Sequence, residues 1–169
     1  MNPNTNKHHP VKVSAHSHFK RLGRELAMQY LYECDMAGGK DDPDARLLFW
    51  QQASEAGLTD DERTFKKASF YAEKIIDGVF AHLEEIDKEI SSFSEKWDLS
   101  RIAAVERNII RVAIYELKFR PDIPALVSID EAIEIAKEFA SEKSGVFING
   151  ILNGVKDTLP AGAKQPQGN

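Results

Sequence analysis

Apolar positions recur along nearly the whole chain at spacings of three and four, the period of an amphipathic helix, and no alternating strand pattern competes with it. The stretch from Trp97 to Pro124, above all Arg101 to Arg120, departs from the one-sided version of that pattern. On a helical wheel Ile102, Ile109, Ala113 and Leu117 cover one side, Ile110 and Ile114 a second, and Val105, Val112 and Phe119 a third. A helix apolar nearly all round is wrapped by other helices, so this segment is predicted to be the core. It is too short and too often interrupted by charge to span a bilayer, which needs ~20 mainly apolar residues.

The other elements follow in order around it. Ser17 can cap a helix from about His18 to Met36, with a stripe of Leu22, Leu26, Leu31 and Cys34 and a stop at Gly38-Gly39. Asp42-Pro43 opens a second helix with Leu47, Leu48 and Trp50 inside, closing at Gly57. Thr59 to Glu62 reads as a capping box. It launches a long stripe from Phe65 to Phe93, which Gly78 and the acidic run Glu84–Asp87 divide into helices of about 62–83 and 85–94. After a stiff loop, Arg120 to Pro124, Ser128 to Glu131 reads as another capping box, for a helix burying Ala132, Ile135, Ala136 and Phe139. Ser141 to Gly145 breaks that helix. The last one, about 145–158, buries Val146, Phe147, Ile151, Leu152 and Val155, and Pro160 stops it. The expected fold is all-α, with about seven helices. Residues 1–17 form a flexible basic tail, 18–159 the helical domain and 160–169 a C-terminal tail.

The 169 residues, 42% hydrophobic and 29% charged, describe an ordinary globular protein. A single cysteine, Cys34, excludes an internal disulfide framework, and no N-terminal apolar run marks a secretory signal, so a cytoplasmic location is expected. The net charge of −5 conceals an asymmetry. Residues 1–24 carry Lys7, Lys12, Lys20, Arg21 and Arg24 with no acid, leaving the rest of the chain at −10. Lys20, Arg21 and Arg24 crowd the first turns of a helix, where cations oppose the helix dipole, and that placement points to a docked anion. Nucleic acid is the first candidate, confined to one face because the body is acidic.

On the central helix Arg107, Arg111 and Lys118 share one edge, whereas Glu106 lies inside the apolar arc of Ile102, Ile110, Ala113 and Leu117. A carboxylate there needs an internal partner or one supplied by a second protein. Four of the five histidines sit at or near the N-terminal tail, with no set of ligands around them, so no metal site or cofactor is expected. His82 falls in the long helical run and Cys34 lacks any motif partner. With no catalytic dyad and no phosphate loop, an enzyme is not expected.

The segment VERNIIRVAIYELKFRPDIPALVSIDEAIEIAKEFASEKSGVFINGIL closely resembles the C-terminal signature of the bacterial NusB family of transcription antitermination factors. Arg111 to Leu117, Arg120 to Pro124, Ile129 to Ala132 and Phe147 to Leu152 carry the likeness. Lys20 to Asp35 is similar to the family's opening basic helix, and the resemblance runs from about 18 to 158. It implies two three-helix bundles without enzymatic activity. It also implies pairing with a small-subunit ribosomal protein (NusE), boxA RNA of ribosomal RNA leader transcripts as ligand, and work alongside other Nus factors and RNA polymerase. Carried onto this chain, it makes Lys20, Arg21 and Arg24 the RNA-facing cations, with Tyr32 a stacking platform for an unpaired base. Glu106 and Phe147 match positions used against the ribosomal-protein partner. Leu22 replaces one family arginine, Lys143 replaces an acid beside the RNA path and Val146 replaces a lysine. The alternative reading is a helical scaffold or homodimer, using the surface near Phe147 and Glu106 without direct RNA binding.

Overall fold

The structure, a computed structural model, describes residues 18–94 and 98–164. Ser17 and Trp97, singled out above, lie outside the described residues, as do the whole N-terminal tail and the last residues of the C-terminal one. Seven α-helices are present among the described residues: α1 (Phe19–Met36), α2 (Pro43–Glu55), α3 (Glu62–Ala81), α4 (Leu83–Phe93), α5 (Ala104–Phe119), α6 (Ala125–Phe139) and α7 (Glu142–Asp157), with a 3₁₀ turn at Leu99–Arg101. No strand occurs among the described residues.

The ends of the helices show where local chemistry differs from the expected motifs. The Asp42 carboxylate accepts from the Asp44 N–H and Pro43 takes the first helical position, as the sequence implies. At α3 the cap is Asp61 rather than Thr59. Its carboxylate accepts from the Arg63 N–H at 3.0 Å and the Thr64 hydroxyl at 2.8 Å, while the Thr59 hydroxyl takes the Asp61 N–H. α6 starts at Ala125, three residues before the expected cap, because Pro124 loses nothing by lacking an N–H at a helix start. Ser128 therefore lies inside the helix, where its hydroxyl donates to Glu116. Ser141 caps α7 by accepting from the Ser144 N–H, so the break is shorter than expected and Gly145 is helical. α1 ends on Gly38 and Gly39, both at positive φ, and the Gly39 N–H returns to the Cys34 carbonyl at 2.7 Å.

α5 is the core helix. Every residue from Asn108 to Leu117 is buried, and α1, α3, α4, α6 and α7 all pack on it. α1, α2 and α3 form one three-helix group, and α5, α6 and α7, with α4 against them, the other. Close approach depends on glycine at two points. A Cβ on Gly78 of α3 would lie 2.1 Å from Tyr115, and one on Gly154 of α7 would lie 2.5 Å from Phe93. Some apolar residues expected inside face out. Leu47 and Leu48 are exposed because α2 turns Phe49, Ala53 and the partly buried Trp50 to the core. Val146 is 77% exposed because the buried arc of α7 runs through Ser144, Ile148, Ile151 and Val155.

Candidate nucleic-acid interface

Two helix N-termini, those of α1 and α6, meet at one end of the molecule. They enclose a groove of about 360 Å³ lined by His18, Lys20, Arg21, Arg24, Asp122, Ile123, Pro124, Val127 and Glu131. Lys20 is exposed, and no carboxylate lies within ion-pair distance of it among the described residues. Arg21 is different. Its Nε and Nη2 donate to the two carboxylate oxygens of Glu131 at 2.7 and 2.9 Å. That fork, reinforced by the charge of Glu131, outweighs partial burial and holds the guanidinium above its ordinary pKa. Asp122, also in the groove lining, is forked by Arg120 at 3.0 and 2.9 Å.

Arg24 does not face the groove as a free surface cation, which corrects the expectation for it. It is 4% exposed, with Nε and Nη2 on Glu116 at 2.6 and 3.0 Å and Nη2 also on the Tyr71 hydroxyl. Burial opposes its charge, but the hydrogen bonds and charge of Glu116 more than compensate, so the guanidinium sits above its usual range. Position on the helix explains this: Arg24 lies on the side of α1 that meets α3 and α5. The basic edge of α5 is likewise neutralised. Arg107 pairs with Asp35, Arg111 with Asp35 and Asp87, and Lys118 with Glu85 and Glu89.

The pairings also fix direction. Arg24 meets Glu116 near the end of α5 and Asp35 meets Arg107 near its start, so α1 and α5 run antiparallel. α6 runs back beside α1. Arg21, Glu25 and Tyr32 share the arc of α1 turned towards that seam, and Arg21 to Tyr32 spans about 16 Å at the helical rise of ~1.5 Å per residue. Tyr32 is half-buried. Lys143, in the first turn of α7, is exposed, and no ion pair engages it among the described residues. It projects at the far end of the molecule from the groove, because Ser144 next to it donates to Glu106 at the start of α5. That bond supplies the internal partner expected for Glu106. Phe147, one turn on, is half-buried beside exposed Val146. Through Ser144, Glu106 lies one helical turn from Phe147, whereas Val146 sits on another face of α7.

Sequence reasoning missed Glu25, the most unusual group at the seam. It is 0% exposed and neither carboxylate oxygen has a hydrogen-bond donor. Burial, with Glu138 and Glu131 as like charges and only partial relief from Arg21, pushes its pKa up to about 7. Only its place beside Leu22 and Leu26, one residue from the buried stripe of α1, hinted at this in the sequence.

The family model for NusB matches residues 21–157. The chain belongs to the NusB family. The transcription antitermination protein NusB of Geobacter sulfurreducens is 43% identical over 141 residues, covering 83% of this chain and 96% of that protein. NusB of Myxococcus xanthus is 40% identical over 140 residues, with the same coverage of each. Among solved structures, T. maritima NusB superposes with a TM-score of 0.67 at 34% identity over 85% of this chain and 95% of that one. A structure of antitermination factors NusB and NusE in complex with dsRNA gives a TM-score of 0.68 at 27% identity, covering 83% of this chain and 98% of that one. The match from 21 to 157 takes in nearly all of α1 and the rest through α7, so Arg21, the seam, Glu106 and Phe147 lie inside the family's span, whereas His18 and Lys20 of the groove precede it. Among the described residues no group of three or more His, Cys, Asp or Glu is placed to hold a metal ion, and no helix is long and apolar enough to cross a membrane.

Proposed function

We propose that this chain is a non-enzymatic RNA-binding transcription antitermination factor. It acts with the small-subunit ribosomal protein NusE on boxA RNA of ribosomal RNA leader transcripts, and beside other Nus factors and RNA polymerase. The observation that carries the reading is the groove between α1 and α6, where Lys20 projects freely and Arg21 stands at the rim. The seam leads from there towards Tyr32. Membership in the NusB family supports it, as does the solved NusB–NusE complex with RNA.

In this reading Lys20 and Arg21 take phosphates, Tyr32 offers its ring to an unpaired base, and Lys143 adds a phosphate contact at the far end. Arg24 holds α1 in place from inside. Glu106 and Phe147 belong to the surface for the ribosomal-protein partner. With so few exposed cations, RNA affinity alone is modest and the salt dependence shallow, since each phosphate neutralised on a single strand adds only ~0.7 to the log–log slope.

The test is fluorescence anisotropy on a short boxA-like RNA, with and without NusE, across a salt series. Binding should sharpen with NusE, and the double substitution Lys20→Ala, Arg21→Ala or the single Lys143→Asp should weaken it several-fold with the helical content intact. Binding indifferent to all three cations would sink the reading. A stable homodimer with no RNA response would favour the scaffold.

A further inference from the structure

Two arginines one turn apart on α1 form the same kind of carboxylate fork in very different surroundings. The Arg24–Glu116 pair is sealed, with side-chain exposures of 5% and 1%. Breaking it would leave a buried charge uncompensated. The Arg21–Glu131 pair lies at the groove wall, with exposures of 30% and 22%. There water and solutes reach both partners, so opening the fork leaves neither charge sealed from solvent. Only the second fork is open to exchange.

A phosphate, though tetrahedral, offers an arginine fork two oxygens to engage at once, as a carboxylate does. The Nε–Nη2 edge of Arg21 is occupied by Glu131, and Arg24 Nη1 also points at Glu131 from 3.8 Å. The charged residues lining the groove are Lys20, Arg21 and Arg24 against Asp122 and Glu131. One of these two acids sits directly on the cation proposed to meet RNA.

Resting on the RNA-binding reading above, we infer that Glu131 sets the RNA affinity of this surface. Its carboxylate occupies the Arg21 fork in the free protein, and an RNA phosphate engages Arg21 by displacing it. Lys20, with no carboxylate on it, makes the first contact, and the exchange at Arg21 follows. The fork keeps an otherwise basic helix end from holding arbitrary polyanions, because every phosphate must outcompete an acid already in place. Discrimination then falls to contacts further along the seam and to the protein partner.

The substitution that tests this is Glu131→Gln, which keeps the size but removes the charge and one of the two acceptors that fork Arg21. In anisotropy titrations of the full chain with a short single-stranded RNA, Glu131→Gln should bind several-fold more tightly than wild type at low salt. Its log–log salt slope should stay close to that of the wild type, because Arg21 meets one phosphate in both proteins. It should also bind an unrelated RNA more tightly, narrowing the preference. In the wild-type protein the Arg21 Nε–H resonance should shift as RNA is added, which needs no variant to fold. Binding by Glu131→Gln that is unchanged or weaker, with helical content preserved, would overturn the inference, and so would an Arg21 Nε–H resonance indifferent to RNA. Either result, beside a wild type that still loses RNA on Lys20→Ala, sinks the inference and leaves the RNA-binding reading standing. A wild type that binds no RNA with or without NusE sinks both.

Discussion

Glu25 is a carboxylate whose surroundings favour its neutral form. Its ordinary pKa of 4.5 is raised to about 7 in the folded chain. Below about pH 4.5 it is protonated in both the folded and unfolded states and costs nothing. Between about 4.5 and 7 the unfolded chain releases the proton more readily, and above 7 the penalty is complete. Glu25→Gln should therefore stabilise the protein by ~1–3 kcal/mol above pH 7, the gain fading towards pH 4.5. Denaturant melts at pH 5 and pH 8 check this, and an equal effect at both would show that the carboxyl finds a partner. At this same scale the sequence was partly legible. The oddity of Glu106 was visible from its apolar arc, and Ser144 proved to be its partner. Arg24 was not legible, because sequence shows where a cation lies but not which acid across the fold will take it. Ser128 misled for a related reason: its hydroxyl serves Glu116 rather than a helix end.

Among the elements, α2 is the least secured. It buries only Phe49 and Ala53, and Leu47 and Leu48 face outward. Its polar anchor is Arg46, which reaches Asp77 at 2.7 Å, Asp41 at 3.3 Å and Glu73, and lies over the Tyr30 ring. Arg46→Ala should loosen α2 by ~1–2 kcal/mol locally, raising amide exchange in α2 roughly 5–30-fold while α5 keeps its protection. Exchange that rises equally in every helix would mean that α2 is integral to the core. The sequence shows seven helices because period and breakers are local signals. It places the start of α3 correctly but misassigns its cap, and it sets the starts of α6 and α7 three residues late, because several nearby groups compete to cap and tertiary contacts decide among them. The all-round apolarity of α5 identified the core helix from composition alone, since no other place in a globular fold could hold it.

At the scale of the whole molecule, Asp35 ties the end of α1 to the start of α5. It accepts from Arg107, Asn108 and Arg111 at 2.8, 3.0 and 3.1 Å. Burial works against its charge, but these donors outweigh it and hold the carboxyl below its ordinary value of 3.8. The bond between the two helix groups is thus fully present above about pH 4 and is lost as pH falls through the lowered folded value. Acid unfolding should begin below about pH 4, and Asp35→Asn should flatten that limb of the stability profile while lowering stability at pH 7. An acid limb that persists in the variant would assign it to other carboxylates. The central position of α5 has a consequence for synthesis as well. α1 and α3 emerge from the ribosome before the helix that covers their apolar faces. At ~5–20 residues per second, the roughly 40 residues between the ends of α3 and α5 take about 2–8 s to make. For that interval the nascent N-terminal half carries an uncovered greasy surface, a window in which chaperone capture competes with folding.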